Sequence, residues 1–405
     1  MSSTLLSANT LKLRPAFLRT FGKRWLHKKL QSRLAAHPRL YLACLTPLAL
    51  LGYLFLLFFP LSSVVLIGQI ASSWSVQSSL NLPTETLIQL LAGIAAICFS
   101  LPVFHLRFKI PSAYQLDSSD IPTLEKTINK LCQIYRIRHF SKILFDENLD
   151  IQVINASKLA WPFSRKRTLI IGLPILLCYS PTQVYILLAR RIGQASGRDH
   201  IMLLWLNTLN KTWLQYTEAL TRMSILALPL ARVFKFYSQL LQSCSLYANQ
   251  LQELAADRYA LEVANDQDMV ELFSQTIITE NFLQQKYWPK IDQLAQRKPC
   301  PGYLPYANMS KVIRNGLMPE YIKTWIQTAL RDPTPSLQQA SLLNRLHNIG
   351  HEKVRPPQRL QKTAATHYLS KAILTQTIAE FDQRWLNSQQ GSTKKPATSV
   401  IKKHK

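Results

Sequence analysis

Two long stretches without a charged residue constrain this chain more than any other feature of its sequence. They run from 41 to 67 and from 86 to 106. A helix of about 20 apolar residues crosses the hydrocarbon core of a bilayer, so each stretch can span it with some tilt. The sequence therefore predicts a transmembrane hairpin over residues 41–106. A hairpin buried inside a soluble protein is the alternative.

Basic residues flank this predicted hairpin only at its outer ends. Nine Lys and Arg residues precede Tyr41, whereas residues 68–83, between the two stretches, contain neither. The positive-inside rule then places both termini and the main domain in the cytoplasm. We expect an integral protein of the bacterial inner membrane that contacts anionic lipids.

The basic residues of the first segment, 1–40, alternate with apolar ones, which is typical of an amphipathic helix lying on a bilayer. A mitochondrial transit peptide has a similar composition and is the alternative. The whole chain carries a net charge of +26, which could also indicate a nucleic-acid partner. Because the charge lies beside the predicted spans and in the tails, without a nucleic-acid-binding motif, we expect no such partner.

The composition after residue 112 is that of a folded domain. A helix is predicted from about Pro122 to Tyr135, followed by three short strands and then several long helices. The segment 223–230 within them either rests on the membrane or forms a third span. The predicted fold class is α+β, a mainly helical domain with a small sheet following the hairpin. Predicted strands lie at 142–145, 151–154 and 168–171, helices at 201–221, 223–264, 267–285 and 318–330, a loop-rich connection at 288–316, a C-terminal helical extension at 351–387 and a basic disordered tail at 388–405.

The helix that begins near residue 181 has an unusual pattern on one face. Ser180 is a favoured N-cap and Pro181 suits the first helical position. Zinc peptidases of the H-E-x-x-H type place two imidazole ligands four residues apart on such a helix, with a Glu after the first as general base. The five corresponding positions here read Arg190, Arg191, Ile192, Gly193 and Gln194.

Motifs on both sides of this helix support the comparison. Residues 168–177 are similar to the strand and turn before the zinc helix of the HtpX-like and prenyl-protein peptidases (peptidase family forty-eight). Residues 253–257, Glu-Leu-Ala-Ala-Asp, resemble that family's E-x-x-A-D helix. Asn155 and Ala156 match its Asn-Ala pair, and residues 332–337 resemble its D-T-H-P-S-L turn without the His. The resemblance covers residues 112–350 and implies a zincin-like fold for this domain.

This resemblance implies a role for each matching position. Glu253 would be the third zinc ligand, Asp257 a partner of the zinc helix, and Asn155 with Ala156 a strand edge beside the substrate. Arginine stays protonated and cannot ligate zinc, and neither Arg191 nor Gln194 replaces the missing base or imidazole. We therefore expect no active catalytic residue, no bound metal and no cofactor.

Two functions follow from these expectations. The first is a membrane-anchored pseudopeptidase that acts as a binding or regulatory module in membrane-protein quality control, with a membrane protein or a peptidase as its partner. The second is an active zinc endopeptidase with displaced ligands that cleaves membrane proteins. Another pair, His347 and His351, has ligand spacing, but Gly350 is expected to end the helix between them.

The resemblance also predicts what replaces the metal. With the zinc helix and the Glu253 helix packed together, loss of zinc would leave the carboxylates of Glu253 and Asp257 in a low-dielectric groove. Arg190 can supply the missing positive charge. We predict an ion pair of Arg190 with Glu253, joined by Gln194 or Asp257; a solvated arginine patch is the alternative.

Overall fold

The computed structural model shows a mostly helical α+β protein with one small mixed sheet, which confirms the predicted fold class at this level. The residues that it describes are 38–76, 84–105, 113–155, 167–197, 205, 209, 213, 232–233, 235–240, 246–297, 303–331, 340–358 and 360–393.

The two charge-free stretches form helices α1 (Pro38–Val76) and α2 (Thr84–His105), which pack against each other. Many of their large apolar side chains are exposed; Leu54 is 70% exposed. Within the described ranges, no helix is long and apolar enough to be assigned as a membrane span. The predicted segment 1–40 lies outside the described residues except for its last three positions.

A residue from the region after the helix predicted to begin near residue 181 contacts α1. The hydroxyl of Tyr237 lies so close to Gly52 that a β-carbon at residue 52 would overlap it. Tyr237 also stacks edge-on against the fully buried ring of Trp213, with 4.7 Å between ring centroids. Tyr237, in the predicted helix 223–264, therefore contacts α1, and Trp213, in the predicted helix 201–221, packs against Tyr237. Many residues of these two predicted helices lie outside the described ranges.

The sheet has four strands in the order β1-β2-β4-β3. Strands β2 and β4 are parallel, and the other two pairs are antiparallel. The three predicted strands are confirmed, and β3 lies at an edge as the resemblance implies. Strand β1 was not predicted because two residues carry no alternating pattern. The strands are β1 (Tyr114–Gln115), β2 (Lys142–Asp146), β3 (Ile151–Asn155) and β4 (Arg167–Gly172).

Helices cover this sheet and share one hydrophobic core with it. Strand β4, one of the two inner strands, buries its whole apolar run. The central helix α5 is buried along most of its length. The helices of this part are α3 (Pro122–Ile134), α4 (Leu173–Cys178), α5 (Pro181–Ser196), α6 (Leu246–Leu261), α7 (Asp266–Phe282), α8 (Trp288–Arg297), α9 (Pro305–Gly316), α10 (Pro319–Arg331) and α11 (Leu342–Asn348).

The connection predicted as loop-rich at 288–316 is largely helical, so that prediction was wrong. Helix α8 and helix α9 occupy most of it. In α9, Pro305 stands in the first turn, where its missing N–H costs nothing. In α9 the buried residues Tyr306, Met309 and Ile313 recur at helical spacing. A π-helical turn, Leu283–Tyr287, joins α7 to α8.

The C-terminal helices α12 (Ala364–Tyr368) and α13 (Lys371–Thr393) belong to the same core. The carboxylate of Asp382 accepts hydrogen bonds from the backbone N–H groups of Tyr306 (2.8 Å) and Ala307 (3.2 Å), which fixes the start of α9. Helix α13 extends to Thr393, into the tail that was predicted to be disordered. The rest of that tail lies outside the described residues.

Candidate functional site

Helix α5 begins where the sequence predicts, and local interactions fix it at both ends. The Ser180 hydroxyl accepts from the backbone N–H of Gln183 (3.3 Å), and the Gln183 side chain accepts in return from the N–H of Ser180 (3.0 Å). This capping box begins the helix, and Gly197 in the left-handed conformation (φ 65°) ends it. The positions of residues 190, 191 and 194 are thereby set relative to the core.

Helices α5 and α6 approach closely because residue 193 is glycine. A β-carbon at Gly193 would lie 2.5 Å from the β-carbon of Tyr259, closer than real atoms approach. This contact brings the face of α5 that carries Arg190 against the face of α6 that carries Glu253 and Asp257.

Arg190 joins the two helices. Its side chain is 7% exposed, and its Nη2 donates to Glu253 Oε2 at 2.8 Å. Its Nε lies 2.7 Å from Asp257 Oδ1, an ion-pair distance, but the N–H direction is unsuited to a hydrogen bond and Nε makes none. The predicted ion pair of Arg190 with Glu253, joined by Asp257, is therefore confirmed as a contact.

Arg191 extends this pairing toward the sheet. Its Nη1 donates to Glu253 Oε1 at 3.0 Å, and its Nη2 donates to Asp150 Oδ1 at 2.9 Å, just before strand β3. Gln194 accepts from Arg191 at 3.2 Å. Gln194 therefore contributes through Arg191, whereas the sequence led us to expect a contact with Arg190.

A third arginine, which the sequence analysis missed, completes the group. Arg345 on α11 donates from Nε (2.9 Å) and Nη2 (3.0 Å) to the two carboxylate oxygens of Asp257, and its guanidinium lies 3.9 Å from the centre of the Phe273 ring. Asp257 is fully buried, so it is not a solvated surface charge. We name as the arginine–carboxylate cluster the residues Arg190, Arg191, Arg345, Asp150, Glu253 and Asp257.

The charges of this cluster balance, three positive against three negative. Burial alone would raise the pKa of Glu253, but Arg191, Arg190 and Arg345 together lower it to about 2. Burial and the neighbouring Arg345 lower the pKa of Arg190, against the opposing effect of Asp257 and Glu253. Attraction to Asp150 raises the pKa of Arg191. Each carboxylate of the cluster is engaged by at least one guanidinium.

Zinc does not fit these residues. Arg190 places a guanidinium at the position that the resemblance assigns to the first imidazole, and both oxygens of Glu253 already accept hydrogen bonds from arginines. Arg191 has no lone pair with which to activate water. No cluster of three or more metal-ligating side chains occurs within the described ranges.

The histidine pair is separated as the sequence predicts. Gly350, with φ 77°, ends α11 in a Schellman turn, in which the N–H of His351 donates to Leu346 O and that of Gly350 donates to His347 O. His351 lies 3.7 Å from Asp266 on another helix.

A cavity of about 520 Å³ opens beside the cluster. Helices α7 and α10 form much of its wall, and Glu280 contributes a further carboxyl group that the sequence analysis did not single out. Asp150 and Ile151 line it at the start of β3, whereas Asn155 lies at the other end of that strand and Ala156 lies outside the described residues. No sequence signal distinguishes Glu280; Arg345 could have been suspected as a charge inside an apolar helical run.

Comparison with known proteins yields no relative: no protein-family model, curated protein or solved structure matches this chain.

Proposed function

We propose that this protein is a membrane-anchored pseudopeptidase, which keeps the paired helices of a zinc peptidase as a binding or regulatory module. The observation that carries the proposal is the contact of Arg190 with Glu253, 2.8 Å long and largely buried. By the resemblance, Arg190 and Glu253 stand at two of the positions at which that family holds its metal.

The chemistry of the donors supports a non-catalytic role. Catalytic zinc in a protein takes three side-chain ligands and keeps a fourth position open for water. Glu253 is the one ligand type left among the three matching positions, and two guanidinium groups compete for its oxygens. Displacing them would leave two arginine charges next to a dication, which is strongly unfavourable in a buried site.

The N-terminal helices support a membrane anchor. Helices α1 and α2 leave many leucine, isoleucine and valine side chains exposed, more apolar surface than a water-exposed hairpin normally carries. Nine basic residues precede Tyr41 and suit the anionic lipids of a cytoplasmic leaflet. The main domain would then lie in the cytoplasm, where it could hold a membrane-protein segment or a peptidase.

A purification from native membranes tests this function. Full-length protein extracted in mild detergent should carry a membrane protein or a peptidase at near-stoichiometric amounts, and should itself leave fluorescently labelled casein uncut. Arg384→Gln, a charge change on the far C-terminal helix, serves as a matched control for non-specific capture. Chelator-sensitive cleavage of casein by the purified chain would contradict the proposal and favour an active peptidase.

A further inference from the structure

We propose that the cavity beside the arginine–carboxylate cluster binds an alkylammonium group, held by the carboxylate of Glu280. The inference rests on the charges and walls of the cavity and does not depend on the pseudopeptidase proposal. It assigns a ligand class to a space that the cluster itself leaves open.

Glu280 is a surplus carboxylate. The three arginines of the cluster are already matched by Asp150, Glu253 and Asp257. Glu280 lines the same cavity, yet within the described ranges it has no hydrogen-bond donor and no ion-pair partner for its carboxyl group. Among the described residues, the charged side chains that line the cavity are three arginines and three carboxylates, and the fully buried Asp257, which lies outside this lining, brings the sum to one excess negative charge when Glu280 is ionised.

Burial raises the pKa of Glu280, and the attraction of Arg345 offsets this only in part. Glu280 is half-buried, and an ionised carboxylate that is partly removed from water without a partner is disfavoured. A cation bound at this point would supply the missing charge, which gives an ammonium ligand a gain that an uncharged ligand of the same shape lacks.

The walls suit an amine attached to an apolar body. Thr276 and Glu280 lie one turn apart on α7, and Thr328 faces the cavity from α10, so hydroxyl oxygens are available beside the carboxylate for the three N–H groups of an ammonium. The ring of Trp325 lines the same space and can attract a cation through its π face. Leu149, Ile175, Leu187, Ile277 and Leu342 provide apolar wall.

The volume accommodates two sources of the same group. A cavity of about 520 Å³ is within the range for small organic ligands, and it exceeds what one short alkylamine fills. The ligand is therefore either a free amine or the lysine side chain of a peptide. Both present the same alkylammonium group to Glu280.

Ligand-observed NMR titration of full-length protein in detergent, with empty micelles as blank, tests the proposal. Butylamine should bind at least about tenfold more tightly than butanol, a difference of about 1.4 kcal/mol. Glu280→Gln should abolish this preference. Glu320→Gln, which removes the same charge from an exposed position outside the cavity, should preserve it. Parallel titrations with Nα-acetyl-lysine amide, whose side-chain ammonium is free, and with Nα-acetyl-norleucine amide distinguish a peptide side chain from a free amine.

Equal binding of butylamine and butanol by the wild-type protein would overturn the proposal, as would an amine preference that survives Glu280→Gln. If Glu280→Gln fails to fold, Thr328→Trp provides the second variant. It narrows the cavity at an exposed threonine and leaves the carboxylate intact, so it should weaken butylamine at least about tenfold. Unchanged affinity in that variant would also refute the assignment.

Discussion

Replacing Arg190 by methionine should cost the folded protein about 3 kcal/mol, the lower end of the range for breaking a buried ion pair. Arg190 is 7% exposed and contacts both Glu253 and Asp257. The cost stays at the low end because Arg191 still pairs with Glu253 and Arg345 still pairs with Asp257. Removal of one arginine therefore leaves no carboxylate of the cluster without a cation.

The pKa of Glu253 gives a second measure of the same interaction. Against the effect of burial, the three arginines lower this pKa from 4.5 to about 2. A shift of that size favours the carboxylate by roughly 3 kcal/mol, since each pKa unit is worth about 1.4 kcal/mol. Three cations share it, so we expect the coupling between Arg190 and Glu253 to be about 1 to 2 kcal/mol.

A double-mutant cycle with Arg190→Met and Glu253→Gln measures this coupling from urea unfolding in detergent. The matched control is the exposed pair of Glu380 and Arg384 on α13, one turn apart with 2.9 Å between Arg384 Nε and Glu380 Oε1. Its cycle should give about 0.3 to 0.5 kcal/mol. A coupling for Arg190 and Glu253 no larger than the control would refute the inference that this pair holds α5 against α6.

Three further predictions concern packing, pH and topology. Gly193→Ala should destabilise the protein by about 1 to 3 kcal/mol in urea unfolding, because the β-carbon of the new alanine would meet Tyr259. The control Gly68→Ala, in open space on α1, should not destabilise it. Equal effects of the two substitutions would contradict the close contact between α5 and α6. Burial raises the pKa of Asp146 from 3.8 to about 6, against the opposing effect of hydrogen bonds from Asn148, so ionisation of Asp146 opposes folding as pH rises. Between about pH 4 and 7 the free energy of unfolding of the wild type should fall by up to roughly 3 kcal/mol relative to Asp146→Asn. Parallel profiles of unfolding free energy against pH for the two proteins would exclude this. A reporter active only outside the cytoplasm should stay silent when fused after Lys405, and activity there would invert the proposed topology.

Local patterns in the sequence predicted most of the regular structure around the site. Apolar runs identified strands β2, β3 and β4, and Ser180 as N-cap followed by Pro181 identified the start of α5, because both signals depend on residues close in the chain. The region 288–316 was predicted as loop-rich, although it is largely helical. Tertiary contacts decided there: α9 starts where Asp382, far along the chain, accepts from its first N–H groups.

The cluster could be predicted only in part. The pairing of Arg190 with Glu253 followed from charge compensation between two helices that the family resemblance places together. Asp150 and Arg345 escaped prediction because they come from a turn and from α11, whose positions depend on the completed fold. Gln194 turned out to accept from Arg191, a choice set by side-chain directions that residue spacing does not determine.

Zinc content of the purified wild-type chain tests the central claim most directly. We predict that elemental analysis of the wild-type protein finds no zinc above background, even after incubation with zinc and removal of the excess. A variant that combines Arg190→His, Arg191→Glu and Gln194→His, with Glu253 retained, should instead bind about one zinc per chain. About one zinc in the wild-type protein, lost on Glu253→Ala, would contradict the replacement of a metal site by the arginine–carboxylate cluster.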